Sequence, residues 1–136
     1  MSYWLLKTEP GTYSFADLVR DKQTVWDGVT NNLALKNIRS MKKGDLCFVY
    51  HTGDEKAIVG IAEVVSDPTP DPKKGDARLA VVRLKSGKKL SRPVTLAEIR
   101  LVKDLSTFSL VRLPRLSVMS VDSSQWTRLL SMSEKD

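Results

Sequence analysis

The sequence predicts an α+β fold in which short, mostly antiparallel strands curl into a small sheet or barrel with short helices around it. Many short runs of strand-forming residues are interspersed with a few short helical patterns. No regular strand–helix–strand rhythm is present, which argues against a doubly wound parallel sheet. The 136 residues show no internal repeat and fall within the usual length of one domain, so we expect a single domain over residues 1–136.

The first half of the chain predicts three strands separated by two helices. The expected strands, rich in β-branched and aromatic residues, are Tyr3–Thr8, Gln23–Trp26 and Leu46–His51. Ser14 and Asp17 have the spacing of a capping box, which indicates that the first helix begins there. Asn31 or Asn32 caps the second helix, which we expect to run to about residue 41.

The second half predicts further short elements around a stiff, proline-containing loop at residues 66–76. Strands are expected at Ala57–Val65, at Leu79–Leu84 and Lys88–Leu90 as a hairpin about Ser86-Gly87, and at Arg115–Val118. Short helices are expected after the capping pattern of Thr95 with Glu98, and after Asp122 or Ser123.

Charge and cysteine content narrow the class of protein. A net charge of +6 and a pI near 9.6 favour a polyanionic partner, because lysines and arginines that neutralise phosphates release counterions. The plainer interpretation is that this charge only confers solubility.

Cys47 is the only cysteine, which excludes an internal disulfide and a cysteine-based zinc site. Residues 1–10 do not have the pattern of a secretory signal, and no apolar run approaches the roughly 20 residues that span a bilayer, so we expect a cytoplasmic protein.

The segment from Trp26 to Asn32 is the most informative stretch. A strand ends there, Gly28 turns the chain, and a helix begins. The free N–H groups and the positive dipole end of a helix start favour a phosphate or another acceptor. Trp26 offers a flat face on which a base could stack. In the competing interpretation Trp26 is a core residue and Asn31 only caps the helix.

Lys7, Thr8 and Glu9 end the first expected strand with a cation, a hydroxyl and a carboxylate. Such a cluster can bind the edge of a base, with the carboxylate accepting from an amino group. The alternative is a surface ion pair worth about 0–1 kcal/mol. Near the other end of the chain, Arg112 and Arg115 flank Leu113-Pro114 and could hold phosphates.

No constellation in the sequence predicts catalysis. His51, the only histidine, ends an expected strand after Tyr50 and is either a general base or a hydrogen-bonding group that fixes neighbouring loops. Cys47 and His51 stand four residues apart, roughly 13 Å on a strand, which is too far for a catalytic pair. The chain contains no phosphate-binding loop, dinucleotide fingerprint or histidine-based metal motif. We expect no enzyme activity, no metal and no cofactor.

Six segments of this chain, in order, resemble the EVE domain family. They are Tyr3–Pro10, Trp26–Val29, Met41–Asp45, Tyr50–Thr52, Ile58–Ala62 and Arg115–Val118. The resemblance implies a PUA-like fold, a pseudo-barrel of mostly antiparallel short strands flanked by short helices. It also implies a relation to ASCH and YTH domains, which accept a flipped-out modified base. The family is associated with modified nucleic-acid bases, including methylated cytosines, and no catalytic activity is attributed to the domain alone.

The resemblance also implies a base-binding pocket in this chain. Its expected residues are Lys7, Thr8, Glu9, Trp26, Val29, Asn31, Tyr50, His51, Arg115 and Ser117. The chain departs from the family where an arginine and a tyrosine are usual, at Thr30 and Asn32, and where glutamine and arginine are common, at Leu33 and Leu35. These departures remove charge and an aromatic ring from the rim of the pocket.

Three functions remain open from the sequence. The favoured one is a nucleic-acid-binding module that accepts a modified or flipped base of DNA or RNA. The second is a pocket for a small metabolite or an adaptor for another protein, which salt-independent affinity would indicate. The third, an enzyme such as a nuclease or a deaminase, lacks a pair of nucleophile and base.

Overall fold

The computed structural model describes residues 1–73 and 75–134, which form one seven-stranded sheet with short helices packed around it. The strands are β1 (Tyr3–Thr8), β2 (Gln23–Trp26), β3 (Leu46–His51), β4 (Ala57–Val64), β5 (Thr69–Pro70), β6 (Ala80–Thr95) and β7 (Val118–Val121). The α-helices are α1 (Phe15–Asp21), α2 (Asn32–Ser40), α3 (Leu96–Arg100), α4 (Ser109–Arg112) and α5 (Ser123–Ser133), with a 3-10 turn at Lys103–Leu105. The predicted fold class is confirmed.

The sheet runs in the order β2-β6-β4-β3-β1-β7, and β5 pairs with β6. Its strand pairs are antiparallel except for β1 and β3, which run parallel with Tyr3 opposite Leu46 and Thr8 opposite His51. The two parallel strands therefore end at the same edge of the sheet. There the N–H of Thr52 donates to the carbonyl oxygen of Thr8 at 2.9 Å, which keeps the two strand ends together.

The core lies on both faces of β3. On one face α5 contributes Trp126, whose ring stacks on Phe48 at 3.8 Å and on Tyr3 at 4.4 Å between ring centroids. Elsewhere the ring of Phe15, the first residue of α1, lies directly over Gly60 of β4. A Cβ at position 60 would come within 2.4 Å of that ring, so only glycine lets α1 pack this closely.

The predicted helix starts are confirmed. Reciprocal capping boxes join Ser14 to Asp17 and Thr95 to Glu98, and Asp122 caps α5 in the same way. Asn31, rather than Asn32, is the cap of α2. Within the residues that the structure describes, no helix is long and apolar enough to cross a membrane.

The hairpin predicted about Ser86-Gly87 is wrong. Residues 80–95 form one continuous strand, β6, which pairs with β2, β4 and β5. A Cβ on Gly87 would lie 2.7 Å from the carbonyl oxygen of Ile61, so this glycine permits a close approach of two strands. The pairing of β4 with β6 is irregular in this region, which is the usual consequence of a bulge. The glycine therefore marks an irregularity inside a strand and not a turn.

The last predicted strand begins later than expected. It starts at Val118, and Arg115 and Ser117 belong to the connection that precedes it. That connection is nevertheless attached to the sheet, because the N–H of Lys7 donates to the carbonyl oxygen of Ser117 at 2.9 Å. The sequence patterns did not predict β5, the 3-10 turn or α4, which are all four residues long or shorter.

Asp45 fixes the start of β1 to the turn before β3. It is 4% exposed, and its carboxylate accepts from the N–H groups of Ser2 and Lys42 and from the indole N–H of Trp4, at 2.9–3.0 Å. Burial alone would raise the pKa of this carboxyl, but the three donors outweigh burial and hold the pKa below its ordinary value.

We predict that Asp45→Asn lowers the free energy of unfolding by about 1–3 kcal/mol at pH 7, since an amide nitrogen cannot accept the bonds it replaces. A carboxyl with a depressed pKa stabilises the folded state above its unfolded value of about 3.9 and loses this contribution as the pH falls through its folded value. The difference between wild type and variant should therefore shrink below pH about 4. Urea melts at a series of pH values measure it.

The exposed Asp67→Asn is the matched control and should leave the unfolding free energy nearly unchanged. An equal destabilisation by Asp45→Asn at neutral pH and at pH about 2 would contradict the role of the ionised carboxylate.

Candidate functional site

A cavity of about 610 Å³ opens where β1 ends, between the loop that leads to α1 and the turn that leads to α2. We call it the Trp26 cavity. It is lined by Lys7, Thr8, Glu9, Thr12, Tyr13, Thr24, Val25, Trp26, Asp27, Gly28, Val29, Thr30, Asn31 and Ser117. Its volume lies within the range of about 300–1,000 Å³ that is typical of small-molecule sites. It brings together three parts of the chain that are far apart in the sequence, which lie within residues 7–13, within residues 24–31 and at Ser117.

Seven of the ten predicted site residues line this cavity. They are Lys7, Thr8, Glu9, Trp26, Val29, Asn31 and Ser117. A depression of similar volume, about 650 Å³, runs along α5, but it is lined mainly by serine, threonine and other polar side chains and contains none of the predicted residues. The aromatic rings at the Trp26 cavity make it the better candidate for a planar ligand.

Hydrogen bonds fix the loop that follows β1. The hydroxyl of Thr8 donates to the carbonyl oxygen of Tyr13 at 2.6 Å. One carboxylate oxygen of Glu9 accepts from the N–H of Gly11 at 3.1 Å, and the other accepts from the hydroxyl of Thr52 at 3.3 Å. The exposed carboxylate of Glu9 thus has a defined position at the cavity edge while keeping lone pairs for a ligand.

Lys7 places a cationic group at the cavity wall. Its ammonium group donates to the carbonyl oxygen of Pro114 at 2.7 Å and lies 5.8 Å from the centre of the Tyr50 ring. Burial lowers the pKa of Lys7. Two of its three N–H donors remain for a ligand beyond the bond to Pro114.

Two aromatic residues form another part of the wall. Trp26 is 8% exposed and packs in the hydrophobic core, and it also lines the cavity. It is therefore both a core residue and a wall of the cavity. Tyr13 meets Trp26 edge to face, with 6.4 Å between ring centroids and 83° between ring planes. Tyr13 is half-buried, and its hydroxyl donates to Asp21 at 2.9 Å. Tyr13 is therefore the more exposed of the two residues.

The turn from β2 into α2 completes the cavity. Gly28 has a φ of 77°, a left-handed conformation that favours glycine. The side-chain oxygen of Asn31 accepts from the N–H of Ala34 at 3.0 Å and so caps α2. Arg78 donates to the carbonyl oxygen of Thr30 and to the side chain of Asn32, at 2.8 and 3.0 Å. A guanidinium group is therefore bonded to the backbone of the cavity residue Thr30, although it does not come from position 30.

Two of the predicted site residues, Tyr50 and His51, do not line the cavity. Tyr50 is 3% exposed, and burial raises its pKa. His51 accepts the N–H of Phe15 at Nε2, 3.0 Å away, and its Nδ1 lies 2.6 Å from Glu55. Because Nε2 accepts a hydrogen bond, the proton of the neutral ring is on Nδ1, where it is donated to Glu55. His51 thus fixes the start of α1, and its role is that of a hydrogen-bonding group that holds neighbouring segments in place.

Arg115 lies beside the cavity, in an adjoining groove of about 360 Å³ that we call the Leu33 groove. The groove is lined by Asn31, Leu33, Arg112, Leu113, Pro114, Arg115 and Leu116. Cys47 is fully buried in β3, and burial raises its pKa strongly, which leaves no thiolate there for chemistry. Over residues 1–73 and 75–134 no cluster of three potential metal ligands is present.

Half of the residues that line the cavity were not predicted from the sequence. The residues not foreseen are Thr12, Tyr13, Thr24, Val25, Asp27, Gly28 and Thr30. Asp27, Gly28 and Thr30 lie within the segment that the sequence had already singled out. A signal for Tyr13 was present in the sequence. It is an aromatic residue directly before the helix cap Ser14, in the loop that follows the polar end of the first strand. Whether Thr24 and Val25 line the cavity depends on which side of β2 faces it, and only the tertiary fold determines that side.

Several known proteins are similar to this chain over nearly its whole length. Human thymocyte nuclear protein 1 is 27% identical in sequence over 99% of this chain and 75% of its own length. The structure of Rpa0253 from Rhodopseudomonas palustris superposes with a TM-score of 0.93 and 35% identity, over 98% of this chain and 93% of that one. The crystal structure of human THYN1 protein in complex with 5-methylcytosine-containing DNA superposes with a TM-score of 0.90 and 26% identity, over 100% and 99% of the two chains.

The sequence model of the EVE domain family matches residues 2–132, which is nearly the whole chain. The chain belongs to the EVE domain family.

Proposed function

We propose that this chain binds DNA and holds a modified cytosine base, turned out of the helix, in the Trp26 cavity. The observation that carries the proposal is the convergence of three separate parts of the chain, with aromatic, charged and hydroxyl groups, on one cavity of suitable volume. The similarity to human THYN1, whose structure contains 5-methylcytosine DNA, supports the choice of ligand because it extends over the whole chain.

The polar groups of the cavity complement the pairing edge of cytosine. That edge has one amino donor and two acceptors, and proteins recognise a flipped base along it. The carboxylates of Glu9 and Asp27 can accept from the amino group, while the ammonium group of Lys7 can donate to an acceptor. The two carboxylates and the ammonium group at the cavity therefore match the amino donor and the acceptors of a cytosine base.

Apolar surface in the same cavity suits a methyl group on the base. Val25, Trp26 and Val29 line the wall along the turn into α2. A methyl group that leaves water for such a surface gains about 0.8 kcal/mol. This gain gives a modest preference for methylated over unmodified cytosine.

We propose that binding is not followed by a reaction. His51 already uses both ring nitrogens, and Cys47 is buried in β3. The single histidine and the single cysteine of the sequence therefore both have structural roles. The competing proposal, a pocket for a small metabolite or a protein partner, predicts binding that does not depend on phosphate contacts.

We predict that Tyr13→Ala weakens binding to 5-methylcytosine DNA by about 1–3 kcal/mol, or roughly 5- to 150-fold, which is the usual worth of one stacked base. The unfolding free energy should fall by only about 1–2 kcal/mol because the ring is half-buried. Fluorescence titrations and thermal melts measure the two effects. Tyr13→Phe keeps the ring and should keep most of the affinity.

Tyr3→Ala is the matched control, because Tyr3 is also partly buried and stacks on Trp126 at the opposite end of β1. It should cost stability without changing affinity. Full affinity in Tyr13→Ala would show that Tyr13 is not a stacking surface, and the role would pass to Trp26.

We also predict that the affinity for duplex DNA falls as salt rises. Two or three phosphate contacts give a slope of about −2 to −3 in log affinity against log salt concentration. The reason is the net charge of +6 together with Lys7, Arg112 and Arg115 around the cavity. Titrations at several salt concentrations test this. A flat response with binding intact would favour the metabolite or protein ligand.

A further inference from the structure

The Leu33 groove adjoins the Trp26 cavity. Asn31 lines both. Lys7, in the wall of the cavity, donates to the carbonyl oxygen of Pro114, in the wall of the groove, at 2.7 Å. Ser117 of the cavity follows directly after Leu116 of the groove. A DNA strand whose base enters the cavity would therefore bring its neighbouring nucleotides to the groove.

The groove exposes apolar surface that the fold does not use. Leu33 and Leu113 are each 45% exposed, whereas the apolar side chains of the core are less than a tenth exposed. They lie on different elements, since Leu33 is in the first turn of α2 and Leu113 directly follows α4. Both line one groove, so their exposed surfaces face the same space.

The same groove carries two arginines without partners in the fold. Arg112 and Arg115 are exposed, and neither makes a hydrogen bond or ion pair with its side chain anywhere in residues 1–73 and 75–134. Other arginines are engaged, as Arg20 is with Asp17 and Asp21. Guanidinium groups that are free to move are suited to bidentate contacts with phosphates.

Removal of a base from a duplex leaves a gap in the stack, and proteins that deform DNA fill such gaps with apolar side chains. We propose that Leu33 and Leu113 occupy the gap left by the flipped base while Arg112 and Arg115 hold the flanking phosphates. The occupant of the groove is thus duplex DNA next to the base in the Trp26 cavity. This inference rests on the proposed function and extends it to the form of the nucleic acid that is bound.

The test compares a short duplex that carries one 5-methylcytosine with the matching single strand, which has no stack to fill. Leu33→Gln with Leu113→Gln should reduce the affinity for the duplex about tenfold more than the affinity for the single strand. Arg112→Gln with Arg115→Gln should weaken binding of both and make the salt slope for the duplex shallower by about 1 to 2. Because all four side chains are at the surface, thermal melts should show folded variants.

Matched controls are Leu101→Gln and Arg128→Gln. Leu101 is 86% exposed and lines neither the cavity nor the groove, and Arg128 is in α5, which packs at the start of β1. Both controls should bind like the wild type. Wild-type protein that binds neither DNA overturns the proposed function as well. Wild-type binding that the leucine variant leaves unchanged, or weakens equally for duplex and single strand, overturns this inference alone.

Discussion

The hydrogen bond from the N–H of Phe15 to Nε2 of His51, 3.0 Å long and buried, anchors the loop that contributes Tyr13 to the wall of the Trp26 cavity. It satisfies a free N–H group at the start of α1 and attaches that helix to the end of β3. The ring of Phe15, seated over Gly60, adds a contact that no larger residue at position 60 would permit. Because residues 9–14 run from the end of β1 to this anchor, the place of Tyr13 in the cavity wall follows from it. His51 thus positions part of the cavity wall without lining the cavity.

Local chemistry explains which parts of the fold could be predicted. The helix starts depend on a cap and on a partner three residues later, so Ser14, Thr95 and Asp122 identify them without knowledge of the tertiary structure. The parallel pairing of β1 with β3 depends on residues more than forty positions apart, which no local pattern encodes. Gly87 shows the same limit, because a glycine in a turn and a glycine at a bulge look alike in the sequence.

The candidate site was predictable to the extent that binding residues stand at the ends of elements. Lys7–Glu9 and the turn after Trp26 could be selected for that reason, and the fold brings them to one cavity. Tyr50 and His51 also end a strand, but alternation along β3 cannot tell which side chains face a ligand when both faces of the strand are buried. The partners of His51 lie in α1 and in the loop after β3, and they became apparent only from the fold.

The central claim is that the Trp26 cavity holds the modified base. The most direct measurement is an NMR titration of isotope-labelled protein with two oligonucleotides that differ only in carrying 5-methylcytosine or cytosine at one position. We predict that the largest differences between the two titrations appear at the indole N–H of Trp26 and at the backbone N–H groups of Thr8, Gly28 and Val29. Differences that are absent, or that are confined to the depression along α5, would contradict the claim.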